Sequence, residues 1–172
     1  MAEGLEGGEA SPPAQLDVTR LYLLRHAHAG DRLKWSGPDD LRPLSEKGWR
    51  QARALVALLD GEAIDAITTS PSLRCVQTVE PLAKHRGLHL EEDARLLEGH
   101  DPADAFAWLN QRTASQSLVA CTHGDIVPAV LDLVERAGAD VPEDQRWPKG
   151  STWVLERGEG AWLRGRFLPT PS

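Results

Sequence analysis

Short apolar runs alternate with helical repeats of apolar positions along most of the chain. A run of about four to eight apolar residues is typical of a buried strand, whereas apolar positions spaced by three and four predict an amphipathic helix. The alternation predicts an α/β domain, which we expect to be a three-layer α/β/α sandwich with a mixed, mostly parallel sheet. The predicted strands cover residues 18–24, 64–68, 88–90, 117–122, 152–156 and 161–167.

Four helices are predicted between these strands, and the first has the clearest start. Ser45 is a good N-cap, and Leu44 and Trp49 occupy the two positions of a hydrophobic staple. Gly158 and Gly160 separate the last two strands, which predicts a hairpin at one edge of the sheet. The other three helices are predicted over residues 70–84 with an end at Gly87, from the pair Asp101-Pro102, and from Gly124 to about residue 136.

Charge and composition exclude several classes of partner. The 172 residues include 19 Lys plus Arg and 26 Asp plus Glu, a formal net charge of −7, so we expect no nucleic-acid partner. No apolar run approaches the roughly 20 residues of a membrane span, and the start of the chain lacks a signal-peptide pattern. We therefore expect a cytoplasmic protein without a membrane partner. Residues 1–17 are too poor in apolar side chains to fold, which predicts a disordered tail before one domain over residues 18–172.

Two cysteines, Cys75 and Cys121, lie in segments that read as a helix and a buried strand. Neither belongs to a CxxC pair, so we expect two reduced core residues. A cysteine-dependent tyrosine phosphatase would need an arginine six positions after its cysteine. Pro81 and Val127 occupy those positions, which excludes that chemistry.

The polar residues that follow the buried strands are the candidates for chemistry, because open α/β sheets bind ligands beyond the carboxyl ends of their strands. Arg25, His26 and His28 follow the first strand, and His123-Gly124 follows the fourth. Arg74 lies in the first turns of the second helix. Cations, imidazoles and helix N-termini around one crevice predict a site for a tetrahedral dianion such as phosphate.

His26 is the candidate nucleophile of this site. A neutral imidazole can attack phosphorus, and the cationic Arg25 and Arg74 are expected to lower the pKa of His26 below its usual value of about 6.5. The residue would then be unprotonated at neutral pH and ready to accept a phosphoryl group.

The segments LLRHAHA, SPSLRCVQT and CTHG resemble the motifs of the histidine phosphatase superfamily, the phosphoglycerate mutase-like fold, over roughly residues 18 to 168. The short RHA opening, the RPL at 42–44 and the compact length resemble bacterial phosphohistidine phosphatases of the SixA type. They also resemble the phosphatase domain found beside some Nudix domains. Residues 29–31 depart from the pattern of longer members, in which many carry Thr and Asn, and this departure argues against the mutase branch.

The resemblance implies a metal-independent phosphatase without a cofactor, in which His26 becomes phosphorylated. It implies that Arg25 and Arg74 hold the phosphoryl group together with His123. We expect N–H groups near Gly124 to assist, because a glycine lets the backbone approach an anion. Glu98 is the corresponding acid, either a solvated loop residue or the group that protonates the leaving group and later activates water. An alkoxide leaving group needs such a proton donor, whereas imidazole does not.

Substrate class and two rival functions stay open at this point. The absence of room for a large lid favours phosphohistidine on a protein, with small phosphorylated metabolites or nucleotides as the alternative. We expect Arg32, Arg42 and His28 to be further substrate contacts. One rival is a metal-dependent hydrolase that uses His26, His28 and neighbouring acids, although the arginines would repel the cation. The other rival is a phosphate-binding module without turnover.

Overall fold

The computed structural model describes residues 18–172, and the predicted disordered tail at 1–17 lies outside them. It contains six strands and four α-helices. In chain order the elements are β1 (Thr19–Arg25), α1 (Glu46–Leu58), β2 (Ala66–Thr69), α2 (Leu73–Arg86), β3 (Leu90–Glu92), α3 (Pro102–Arg112), β4 (Leu118–Thr122), α4 (Ile126–Arg136), β5 (Thr152–Gly158) and β6 (Ala161–Leu168). Two short 3₁₀ turns, Asp39–Leu41 and Ala94–Leu96, lie in the loops before α1 and α3.

The six strands form one sheet in the order β3-β2-β4-β1-β5-β6. The β3-β2, β2-β4 and β4-β1 pairs are parallel, and β1-β5 and β5-β6 are antiparallel. The prediction of a mixed, mostly parallel sheet is confirmed. The predicted hairpin is confirmed as well, because β5 and β6 pair at the edge of the sheet across a turn in which Glu159 and Gly160 have positive φ.

Side chains that alternate along the central strands build one core on each face of the sheet. Leu21 and Leu23 of β1 pack with residues of α3 and α4, whereas Tyr22 and Leu24 pack with residues of α1 and α2. Helices therefore cover both faces, as the three-layer prediction required. Cys75 and Cys121 are free and buried in the second core, as expected.

Several predicted boundaries were wrong by a few residues. The second helix begins at Leu73, not at residue 70, because the Ser70 amide donates to the carbonyl of Cys121 and continues the sheet (2.9 Å). It ends at the left-handed Gly87, where the Leu88 amide bonds back to the carbonyl of Ala83 (3.0 Å). Residue 88 is thus part of the helix end.

Two strands and one helix also start later than predicted. β3 covers Leu90–Glu92, because residues 87 and 88 close α2. β2 begins at Ala66, and α4 begins at Ile126, after a turn over residues 123–125. At the start of α1 the expectation holds, since the Ser45 hydroxyl accepts a hydrogen bond from the amide of Gly48. Within residues 18–172, no helix is both long enough and apolar enough to cross a bilayer.

Candidate active site

A cleft of about 300 Å³ opens at the carboxyl ends of the two central strands, β1 and β4. These strands are parallel neighbours, so the residues that follow each of them meet at one edge of the sheet. Seven of the nine residues singled out in the sequence line the cleft, while a further one, Arg74, is buried beside it. The seven are Arg25, His26, Arg32, Arg42, Glu98, His123 and Gly124.

His26 lies at the base of the cleft and is only 4% exposed. Its Nδ1 is 2.8 Å from the carbonyl oxygen of Ala27, a contact in which Nδ1–H donates and leaves the lone pair on Nε2. The pKa of His26 is lowered to about 3, mainly by burial and to a smaller extent by the nearby His123, Arg74 and Arg25. The expected direction of the pKa shift holds, but its main cause is burial rather than the arginines.

His123 stands edge-on to His26, with the ring centroids 5.4 Å apart and the planes at 65°. It is 1% exposed at the end of β4. Its Nε2 lies 2.9 Å from the hydroxyl oxygen of Ser70, and its Nδ1 lies 3.4 Å from Nη2 of Arg74. An arginine can only donate, so Nδ1 accepts in this arrangement and Nε2 carries the proton.

Arg25 is held against the backbone of Gly124. One guanidinium N–H of Arg25 donates to the carbonyl of Trp147 at 2.9 Å. A Cβ atom on residue 124 would lie 2.8 Å from Cζ of Arg25, so only glycine leaves room for the guanidinium. This close approach, rather than the start of α4, is the structural role of Gly124.

Arg74 is 1% exposed and reaches the cleft from the first turn of α2. Its Nη1 donates to the backbone carbonyl of Asp39 at 2.7 Å, and its Nη2 lies 3.1 Å from the Asp39 carboxylate and 3.4 Å from that of Glu98. Its Nε and the Nε of Arg25 are buried and lack a hydrogen-bond partner within the described part of the chain. Both guanidinium groups lie close enough to His26 to lower its pKa, and cationic donors of this kind suit the oxygens of a phosphoryl group.

Glu98 and Arg32 form the outer wall of the cleft. Nη2 of Arg32 donates to both carboxylate oxygens of Glu98, at 3.1 and 3.2 Å. Arg32 is more than half exposed. Arg42, in contrast, is buried and donates to the carbonyl of Ala29 at 2.8 Å, so it braces the loop after β1 as well as lining the cleft.

Three charged residues of the site were missed in the sequence: Asp39, Lys149 and Asp125. Asp125 lines the cleft and accepts a hydrogen bond from the amide of Gly99 at 2.8 Å. The Asp39 carboxylate pairs with Arg32, Arg42 and Arg74, at 3.4, 3.1 and 3.1 Å. Its pKa is lowered, because the hydrogen bond from Arg42 and the charges of all three arginines outweigh partial burial. The spacing of three between Asp39 and Arg42 was the available signal, since Asp39 begins a 3₁₀ turn and Arg42 is its C-cap.

Lys149 is the second missed residue and carried no recognisable sequence pattern. The amide of the next residue, Gly150, donates to the carbonyls of Arg25 and His26 at 3.0 Å each, which places Lys149 at the cleft. Partial burial lowers the pKa of Lys149, and the charge of Arg25 and of the other arginines lowers it further. The cleft thus holds a lysine in a strongly positive field.

The structure does not bring His28 into the cleft. Its Nδ1 lies 2.6 Å from the hydroxyl of Ser45, and its amide donates to Gln51 at 2.9 Å, so it supports the start of α1. The HxH metal alternative lacks a ligand set, because residues 18–172 contain no group of three or more His, Cys, Asp or Glu side chains placed to hold a metal ion.

Comparison with known proteins assigns the family. Residues 21–100 match the model of the histidine phosphatase superfamily, branch 1. The chain is 33% identical over 161 residues to the 8-oxo-(d)GTP phosphatase of Mycolicibacterium smegmatis, an alignment that covers 91% of this chain and 50% of that protein. This chain therefore spans about half the length of that curated relative.

Solved structures share the fold. The protein histidine phosphatase SixA complexed with tungstate superposes with a TM-score of 0.68 at 23% identity, over 90% of this chain and 97% of that one. A mycobacterial glucosyl-3-phosphoglycerate phosphatase with VO3 superposes with a TM-score of 0.70 at 19% identity, over 90% of this chain and 100% of that one. This chain therefore contains a histidine phosphatase superfamily domain, matched over residues 21–100.

Proposed function

We propose that the protein is a phosphatase that transfers a phosphoryl group to Nε2 of His26 and then to water. The observation that carries the proposal is the pair of buried Nε–H donors of Arg25 and Arg74, which lack partners in the described chain and lie beside a neutral imidazole. Preorganised charged donors of this kind stabilise the oxygens of a transferring phosphoryl group. A phosphate-binding module without turnover, the non-catalytic alternative, would not need a neutral imidazole at the position of His26.

The reaction has two steps. In the first, the Nε2 lone pair of His26 forms a bond to phosphorus, while the bond from phosphorus to the leaving group breaks and its electrons depart with that group. In the second, water attacks phosphorus, the P–Nε2 bond breaks, the electron pair returns to His26, and the water proton is lost to solvent. Arg25 and Arg74 hold the phosphoryl oxygens in both steps, His123 positions Arg74 through the contact between its Nδ1 and Nη2 of the arginine, and inorganic phosphate is released.

Glu98 bears on the choice of leaving group. Both of its carboxylate oxygens accept hydrogen bonds from Arg32, and one of them also accepts from Arg74. A carboxylate held as an acceptor in this way is poorly placed to donate a proton. The site therefore favours leaving groups that depart without one, such as a phosphate (second pKa about 6) or an imidazole (pKa about 6.5), over alkoxides.

The first candidate substrate class is a small phosphoanhydride, such as a nucleoside diphosphate or triphosphate. Lys149 lines the cleft in addition to Arg25 and forms no salt bridge within residues 18–172, whereas Arg32 is paired with Glu98 and Asp39. This additional cation favours a substrate with a second phosphate. The curated relative at 33% identity is named as an 8-oxo-(d)GTP phosphatase, which also favours a nucleotide.

The second candidate is phosphohistidine on a protein, the class favoured by the sequence. α2 and β3 occupy the segment between Arg74 and Glu98, and α3 and β4 the segment between Glu98 and His123, so no inserted lid covers the cleft from these segments. An open cleft admits a phosphorylated side chain from the surface of another protein. The fold shared with SixA is consistent with this class but does not select it.

The phosphoenzyme is tested by intact mass after brief incubation with an aryl phosphate in the presence of a chelator, followed by an alkaline quench. We expect a phosphoryl adduct on the wild type that disappears in acid and is absent from His26→Ala. His85→Ala, which removes an exposed histidine at the end of α2, should keep the adduct. Turnover without any adduct, or an adduct that survives in His26→Ala, contradicts the proposal.

The substrate class is tested with Glu98→Gln. For a phosphoanhydride or phosphohistidine substrate, we expect kcat/KM to stay within about tenfold of the wild type, since these leaving groups need no proton. For an alkyl phosphate, a general-acid role of Glu98 would cost about 10²-fold or more. A loss of that size on GDP as well would show that Glu98 acts on the anhydride and would refute our interpretation of its hydrogen bonds.

A further inference from the structure

A second groove adjoins the cleft, on the loop between β1 and α1. It has a volume of about 240 Å³, and its apolar walls come from Ala29, Trp35, Pro43 and Leu44. Gly30 and Arg42 line both the groove and the cleft, so the two adjoin at these residues. A substrate whose phosphate lies at His26 would extend into this groove with the part that is not phosphate.

Trp35 forms a fixed aromatic platform on this groove. Its indole N–H donates to the carbonyl of Pro38 at 2.9 Å, which sets the orientation of the ring. A Cβ atom on residue 37 would lie 3.1 Å from the indole ring, so one side of the ring packs on the backbone of Gly37. The side chain is nevertheless 38% exposed. A preorganised and partly exposed aromatic ring is suited to stack against another planar ring.

The rim of the groove adds polar groups that match the edge of a purine. One carboxylate oxygen of Asp31 accepts a hydrogen bond from the amide of Leu33 at 2.9 Å, which orients the carboxylate and leaves its second oxygen to accept from a base N–H. Lys34, on the same rim, offers a donor for a base carbonyl. Apolar walls with a few oriented polar groups are typical of small-ligand sites.

We infer that this groove, here called the Trp35 groove, binds the base of a purine nucleotide whose terminal phosphate lies at His26. The inference rests on the proposed phosphatase function and adds a specificity site to it. The position of the groove next to the cationic cleft favours a nucleotide over a peptide. The phosphates and the base of one small molecule would then occupy two adjoining sites of matching chemistry. Trp35 stacks on the base, and Asp31 accepts from its N–H groups.

The experiment compares steady-state kinetics on GDP and on inorganic pyrophosphate, which has the same anhydride bond but no base. Base stacking on an aromatic side chain contributes about 1–3 kcal/mol, which corresponds to about 5- to 150-fold. We expect Trp35→Ala to raise KM for GDP at least about fivefold more than KM for pyrophosphate. Trp35→Phe should restore most of this difference, since it keeps an aromatic face.

Leu33→Ala is the matched control, because Leu33 belongs to the same loop, is 94% exposed and does not line the groove. It should leave the ratio of the two KM values unchanged. Equal effects of Trp35→Ala on GDP and pyrophosphate overturn the inference. So does a loss that appears only with a phosphohistidine-bearing protein, since the groove would then hold a peptide.

Calorimetry on the His26→Ala variant measures the affinities for GDP and for pyrophosphate without turnover. These affinities distinguish a failure of the base site from a failure of the phosphatase function. GDP should bind at least about fivefold more tightly than pyrophosphate, and adding Trp35→Ala should abolish the difference. Equal affinities refute the Trp35 groove even if the enzyme hydrolyses both compounds. A clear preference for GDP supports the groove even if neither compound is hydrolysed, in which case the proposed reaction is the part that is wrong.

Discussion

His26 is buried and uncharged at the end of β1, so its protonation should be coupled to unfolding. Burial is the largest cause of its low pKa of about 3, against an ordinary value of 6.5. The informative change is His26→Asn. Asparagine keeps a side-chain N–H that can donate to the carbonyl of Ala27, as Nδ1 of His26 does, and removes the titrating imidazole.

The unfolded chain binds this proton more tightly than the folded chain does. Above about pH 6.5 neither state is protonated at residue 26, and His26 contributes its full stabilisation. As the pH falls from 6.5 towards 3, the unfolded state takes up a proton that the folded state does not, and stability is lost at about 1.4 kcal/mol per pH unit. At pH 4.5, two units below 6.5, the loss is about 3 kcal/mol.

The measurement is the free energy of unfolding in urea, followed by circular dichroism at pH 7.5 and pH 4.5. The wild type should lose about 3 kcal/mol more over this interval than His26→Asn does, whatever their relative stability at pH 7.5. His85→Asn controls for the loss of one histidine from the chain. Wild-type and His26→Asn values that fall in parallel would mean that His26 is protonated in the folded state, and would refute its assignment as a neutral nucleophile.

Two further substitutions test the arginine arrangement. Gly124→Ala places a methyl group 2.8 Å from Cζ of Arg25, so the guanidinium must move. We expect kcat/KM to fall about 10²-fold, because a donor to the phosphoryl oxygens is displaced. The melting temperature should change little, because the displaced group is the end of a flexible side chain. Wild-type kcat/KM in this variant would show that the position of Arg25 does not matter for transfer. Asp39→Asn removes the charge shared by Arg32, Arg42 and Arg74 and should cost about 1 kcal/mol of unfolding free energy at pH 7, since the carboxylate is 38% exposed and partly screened. Because folding lowers the pKa of Asp39, this stabilisation is present when the pH is above the ordinary pKa of 3.8, and it is lost as the pH falls below that value. If the wild type and Asp39→Asn still differ by the same unfolding free energy in urea titrations at about pH 2, the assignment is wrong.

Local sequence determined much of the fold. The continuous apolar runs in β1 and β4 specified strands buried on both faces, because each face needs its own apolar positions. Ser45 and Gly87 specified the start of one helix and the end of another through hydrogen bonds within a few residues. Boundaries were misplaced where a distant partner intervened, as at Ser70, whose amide pairs with Cys121 of a strand about 50 residues away.

The motifs in the sequence also identified His26, His123 and Arg74 as one candidate site, since residues after parallel strands meet at one edge. Only the tertiary structure decided how they meet. It placed β4 beside β1, set the two imidazole rings edge to face, and made burial the main cause of the low pKa of His26. Burial is a property of the whole packed core, which no local pattern specifies.

The tertiary structure alone also brought in Asp39 and Lys149 and removed His28 from the cleft. Asp39 reaches Arg74 across 35 residues, and Lys149 is placed by backbone hydrogen bonds from Gly150 to β1 and its end. Charged loop residues like these look alike in a sequence, because their side chains are compatible with solvent as well as with a site. Contacts between distant segments decide which of them face the substrate, whereas the residues that end buried strands are constrained by the strands themselves.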